Sequence, residues 1–106
     1  MRQVAPAELA ARLAREPGTV AIVDVREPWE RSLCAIEGSV HIPLGQLPSR
    51  LAELDPARPT AVVCHHGVRS LRACAFLAHH GFGEVLNLQG GIDAWARDLD
   101  PAMALY

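Results

Sequence analysis

The stretch VVCHHGVRSLRACAFL, residues 62–77, passes through three kinds of local structure. Val62 and Val63 end the apolar, β-branched run RPTAVVC, which has no polar alternation and so reads as a strand buried on both faces. The six residues from Cys64 to Arg69 must make the turn, and Gly67 permits the backbone angle that a tight turn requires. VRSLRACAFLAHHG then has apolar residues at helical spacing, with Leu71, Cys74, Ala75 and Ala78 as the predicted core-facing stripe and Gly81 as the stop. Strand, loop and helix follow one another without a linker.

The same alternation recurs on either side. Upstream, Pro6 to Arg15 reads as a helix ended by Pro17-Gly18, and TVAIVDVR as a second buried strand ending near Asp24 to Arg26. EPWERSL has the length of one helical turn, SVHIP of a short strand, and LGQLPSRLAEL carries Leu47, Leu51 and Leu54 at helical spacing. Downstream, GEVLNLQGG reads as a last buried strand and IDAWARDL as a last helix. Crossover helices are the usual connection between parallel strands, so the predicted fold class is α/β: a central parallel sheet of four to five strands with helices on both faces. At 106 residues, without repeat or low-complexity stretch, the chain is expected to form a single domain over 1–106.

Composition narrows the function. A net charge of −2 gives no electrostatic reason to expect nucleic acid or an acidic membrane as partner. All ten basic residues are arginine, which removes phosphate-loop lysine and Schiff-base chemistry. No secretion signal or apolar run of membrane-spanning length is apparent, so a cytoplasmic protein is expected. Three cysteines with no CxxC spacing argue for reduced thiols over a disulfide framework or a structural zinc site. No cofactor is implied.

Ligands of parallel sheets bind at the carboxyl ends of strands, and two such ends carry chemistry here: DVRE and VCHHGVRS. If the chain curls around Cys64, the amides of residues 65 to 69 and the positive end of the next helix face the sulfur and stabilise a thiolate. Arg69 adds a permanent cation. A lone cysteine is usually a small core residue, but two histidines, a glycine and an arginine do not normally follow one. His65 and His66 are read evenly as anion or proton handlers, or as solvent-facing residues that contribute only amides. Adjacent histidines with no second cluster at ligand spacing do not make a metal site. His79 and His80 are assigned to the last carbonyls of their helix. Cys74 is assigned to the core, and Cys34 to an inert position, with a resolving role open if it comes near Cys64. Trp29 and Trp95 are assigned to packing.

CHHGVRS resembles the active loop of rhodanese-like sulfurtransferases, and DVREPWE, IEGSVHIP and NLQGGIDAWA match further motifs of that family in the same order. The resemblance implies a rhodanese-like fold and ping-pong sulfur transfer from a small anionic donor, thiosulfate or a persulfide, to a thiophilic acceptor such as cyanide or a thiol. It makes Cys64 the nucleophile. It assigns the amides of His65, His66, Gly67, Val68 and Arg69 to the terminal sulfur, Arg69 and Ser70 to the donor, and Asp24 and Arg26 to a supporting position near the loop. The chain departs from the family at Cys34-Ala35, where many members have Gly-His, and at Glu30, where two-domain thiosulfate enzymes place a basic residue. A carrier fed by a sulfur-donor protein, or feeding an acceptor protein, uses the same chemistry and stays open. Phosphatases and arsenate reductases also cradle a cysteine thiolate with an arginine, but with five intervening residues; four separate Cys64 from Arg69, a loop better sized for one sulfur atom.

Overall fold

A computed structural model describes residues 1–106. Five strands form one parallel sheet: β1 (Arg2–Val4), β2 (Ala21–Asp24), β3 (Val40–His41), β4 (Thr60–Val63) and β5 (Val85–Leu88), in the order β1-β5-β4-β2-β3. Four α-helices connect them: α1 (Pro6–Arg15), α2 (Pro28–Leu33), α3 (Arg69–His79) and α4 (Gly91–Leu99). The predicted α/β class holds, and β1 is an addition to the four strands read from sequence. No helix is long and apolar enough to cross a membrane.

Strand periodicity divides the core in two. Along β4, Ala61 and Val63 turn to the face where Leu9 of α1 and Ile92 of α4 pack. Val62 and Cys64 turn to the opposite face, against Ala73, Cys74 and Leu77 of α3. The alternation that buries β4 on both sides therefore also aims the Cys64 side chain toward α3.

Two helical readings need correction. The buried face of α3 is Ser70, Ala73, Cys74 and Leu77, while Leu71, Ala75 and Ala78 are exposed. Both sets have the same helical spacing, and the first wins because it carries Ser70 beneath Cys64. LGQLPSRLAEL forms two 3-10 turns, Leu44–Gln46 and Leu51–Glu53, instead of one helix. Pro48 sits between them and has no N–H to continue a helical ladder.

Candidate active site

Cys64 lies at the carboxyl end of β4, 1% exposed. The loop bends back on it, so that the Gly67 amide donates to Sγ at 3.0 Å. Gly67 has φ +95°, a conformation that L side chains rarely adopt, and a Cβ there would stand 3.2 Å from the Gly90 nitrogen. Of the amides expected around the sulfur, only that of Gly67 reaches it directly; those of His65, His66 and Val68 have no partner within the chain.

The loop is buttressed from α4. The amides of Ile92 and Asp93 donate to the carbonyls of Cys64 and His65 at 2.8 and 3.1 Å. A side chain at Gly91 would collide with those carbonyls, since its Cβ would lie 2.3 Å from the His65 oxygen. The glycine pair of the NLQGG motif thus permits a helix N-terminus to lock the loop.

Ser70 is placed otherwise than expected. It is fully buried and accepts the Cys64 thiol at 3.3 Å, so it does not face a donor. Its hydroxyl donates to Asn87 Oδ1, and Asn87 Nδ2 donates to the Gly67 carbonyl at 3.1 Å and to Gln3 at 3.0 Å. Asn87 breaks an otherwise apolar strand, the only sequence signal for its position, and it fixes both ends of the loop.

Arg69 also differs from expectation. Its two terminal nitrogens donate to the two oxygens of Glu30, at 2.5 and 2.7 Å, instead of standing free for an anion. Glu30 is buried at 2% exposure and enters through the capping box of α2, where its carboxylate accepts the Glu27 amide. The Arg69 hydrogen bonds hold the Glu30 carboxyl at about 2, below its usual range despite burial.

Asp24 and Arg26 make a fully buried pair, with Nη2 to Oδ2 at 2.7 Å, but neither bonds to residues 64–70. Burial acts to raise the Asp24 carboxyl; the Arg26 bonds outweigh it and keep it below its ordinary value. Arg26 spends its remaining donors on the carbonyls of Glu30 and Cys34 and on the Tyr106 hydroxyl. The pair therefore anchors the wall that carries Glu30 and reaches the loop indirectly, through Glu30 and Tyr106.

Tyr106 was not singled out by sequence. Its hydroxyl donates to Glu30 at 2.7 Å, and its ring stacks on His65 with centroids 3.8 Å apart. Burial pushes the phenol up to about 12, so it remains a donor. Burial, followed by the neighbouring His66, holds His65 below its ordinary value. His66 is exposed and His65 is half-buried, so the two histidines are not equivalent.

The rhodanese-like domain family matches residues 5–98. The chain belongs to that family. This rhodanese-like domain is 41% identical over 96 residues to a sulfurtransferase of Allochromatium vinosum, covering 91% of this chain and 89% of that protein. It is 40% identical over 85 residues to the thiosulfate sulfurtransferase GlpE of Stutzerimonas stutzeri, covering 80% of this chain and 77% of that one. The crystal structure of a rhodanese-like domain protein from Staphylococcus aureus aligns with a TM-score of 0.85 at 29% identity, over 100% of this chain and 99% of that one.

The other candidates of this rhodanese-like domain fall into place around the loop. Cys74 is buried, and burial pushes its thiol up to about 12, in keeping with a core role. Cys34 is half-buried beside Arg26, at 3.7 Å, and is not bonded to Cys64. His80 bonds the Phe76 carbonyl of its own helix end. Trp95 packs against the core, and Trp29, though 61% exposed, packs edge-on against Tyr106 from the first turn of α2. Asp93 joins His65 and His66 to bring three ligand atoms within 4.8 Å of one another, a juxtaposition that the sequence did not reveal. The two imidazoles are stacked, and Asp93 is already paired with Arg97.

Proposed function

We propose that this rhodanese-like domain is a sulfurtransferase that moves a sulfane sulfur from a thiosulfate or persulfide donor to a thiophilic acceptor through a persulfide on Cys64. The observation that carries the proposal is the Gly67 amide directed at Cys64 Sγ, on a turn whose other amides are unpartnered. Such a turn stabilises negative charge on sulfur before and after transfer, because its dipoles are already oriented.

In the charging step the Cys64 thiolate attacks the outer sulfur of the donor, and the donor's S–S bond breaks. The electron pair leaves with sulfite, if thiosulfate is the donor, or with the thiolate of a persulfide. Cys64 keeps the outer sulfur as a persulfide, which stands one bond further from the buried wall and is the atom offered to the acceptor. Cyanide then removes that sulfur as thiocyanate and restores the thiolate. Neither half needs an external oxidant, reductant or cofactor.

His65, His66, Gly67, Val68 and Arg69 form the cradle, while Ser70 supports the sulfur from below. Asp24 and Arg26 hold the opposing wall. The acceptor, small thiol or protein, would approach past the exposed Val68, Leu71 and Trp29. Thiocyanate production from thiosulfate and cyanide, and from a small persulfide and cyanide, tests the proposal. Wild type and the Cys34→Ser and Cys74→Ser variants should turn over, whereas Cys64→Ser should not; activity surviving in Cys64→Ser would contradict it.

A further inference from the structure

Two guanidinium groups lie one helical turn apart on α3, in opposite states. Arg69 is tied through both terminal nitrogens to Glu30, and that carboxylate stays ionised at neutral pH. Arg72 is exposed and makes no hydrogen bond or ion pair. Both line a groove of about 490 Å³, whose apolar wall comprises Leu44, Leu47, Pro48 and Phe76. Glu27 also borders it, with its carboxylate engaged by the cap of α2. The Leu44 amide bonds the Val25 carbonyl, and the Val25 amide bonds that of Val63. The groove therefore lies at the level of the strand ends, with Arg69 of the active loop in its wall.

This arrangement suits a compact dianion poorly. A donor such as thiosulfate, with its charges next to the transferred sulfur, would meet an arginine already neutralised by a buried carboxylate. The free cation, Arg72, lies three residues further along α3, about 4.5 Å along the helix axis and away from the loop that holds Cys64. The groove volume falls in the roughly 300–1,000 Å³ range of sites for organic ligands, and its apolar wall leads to one unpaired positive charge.

We propose that the preferred donor is an organic persulfide bearing a carboxylate several bonds from its sulfur, with its body in the groove and its carboxylate on Arg72. This substrate class rests on the sulfurtransferase reading above. The Cys64 thiolate attacks the outer sulfur of R–S–SH, the bond between the two donor sulfurs breaks, R–S⁻ leaves with the electron pair, and the outer sulfur with its proton remains on Cys64. Glu30 then serves as a filter, cancelling the charge that would otherwise draw small dianions.

The test compares glutathione persulfide with the persulfide of glutathione diethyl ester, which has the same body and thiol but no free carboxylate. Charging of Cys64 is followed by mass at varied donor concentration, in wild type and Arg72→Gln. Wild type should favour the free acid, and Arg72→Gln should lower the acid-to-ester ratio of kcat/KM about tenfold, as expected for one charge-assisted hydrogen bond. Equal use of acid and ester by wild type, or a ratio unchanged in Arg72→Gln, overturns the proposal. Failure of every donor, thiosulfate included, to place sulfur on Cys64 would instead overturn the sulfurtransferase reading on which it depends.

Discussion

Arg69 and Glu30 face one another as a bidentate pair across the active loop, with both N–O distances at or below 2.7 Å. Planar guanidinium and carboxylate groups match in this geometry, and neither is free for another ion while the pair lasts. Replacing Glu30 by glutamine keeps the shape and removes the negative charge. In Glu30→Gln, kcat/KM for thiosulfate should rise about tenfold, which corresponds to roughly 1.4 kcal/mol of relieved repulsion. Steady-state thiocyanate formation measures it. A fall would identify Glu30 as the residue that positions Arg69, with no filtering role.

The pair should also mark the acid limb of stability. The Glu30 carboxyl stands at about 2 in the folded chain against an ordinary 4.5. Since the folded value is the lower one, its stabilisation is fully present above the ordinary value and is lost as pH falls through about 2. The excess unfolding free energy of wild type over Glu30→Gln, from urea titrations, should therefore be flat from pH 7 to roughly pH 5 and shrink below that. A difference that instead changes between pH 6 and 8 would implicate another group.

Gly91 carries a steric prediction. Its φ is +65°, and an alanine Cβ would come within 2.5 Å of the Cys64 and His65 carbonyl oxygens, which are backbone atoms unable to swing away. Gly91→Ala should cost about 3 kcal/mol or more in urea unfolding, combining overpacking with backbone strain. Gly38→Ala provides a control, with similar positive φ and no atom near its Cβ. It should cost only the strain, about 1–2 kcal/mol.

Tyr106 covers His65, and its removal should be visible on that imidazole. Burial is the main cause of the lowered His65 value, so Tyr106→Ala should let it rise toward its ordinary value in a ring-proton NMR titration. Tyr106→Phe retains the stack and loses the hydroxyl bonds to Arg26 and Glu30. It should leave His65 nearly unmoved while costing about 1–2 kcal/mol of stability.

Much of the fold was legible because its strands are uninterrupted apolar runs and its helices have clear punctuation. Pro6 and Arg15 bound α1 as read, and Val62 to Arg69 gave strand, loop and helix in order. β1 escaped because it has three residues, two of them exposed, and takes its strand character from pairing with β5 across more than eighty positions. The α3 stripe was read one residue off because apolarity favours Leu71, whereas the structure spends the buried position on a serine that meets Cys64 and Asn87. The loop stood out in the sequence because CHHGVRS resembles that of rhodanese-like sulfurtransferases and puts four residues between Cys64 and Arg69. Its partners did not: Glu30, Asn87 and Tyr106 reach it from other elements, and neither helical nor strand periodicity encodes those contacts.

The central claim is that Cys64 carries the sulfur. Intact mass of the wild-type protein after incubation with a persulfide donor and removal of excess should show one added sulfur, mapped to the peptide containing Cys64 and removed by cyanide as thiocyanate. Cys64→Ser treated identically should show none. Sulfur mapped to Cys34 or Cys74, or an adduct that persists in Cys64→Ser, would contradict the account.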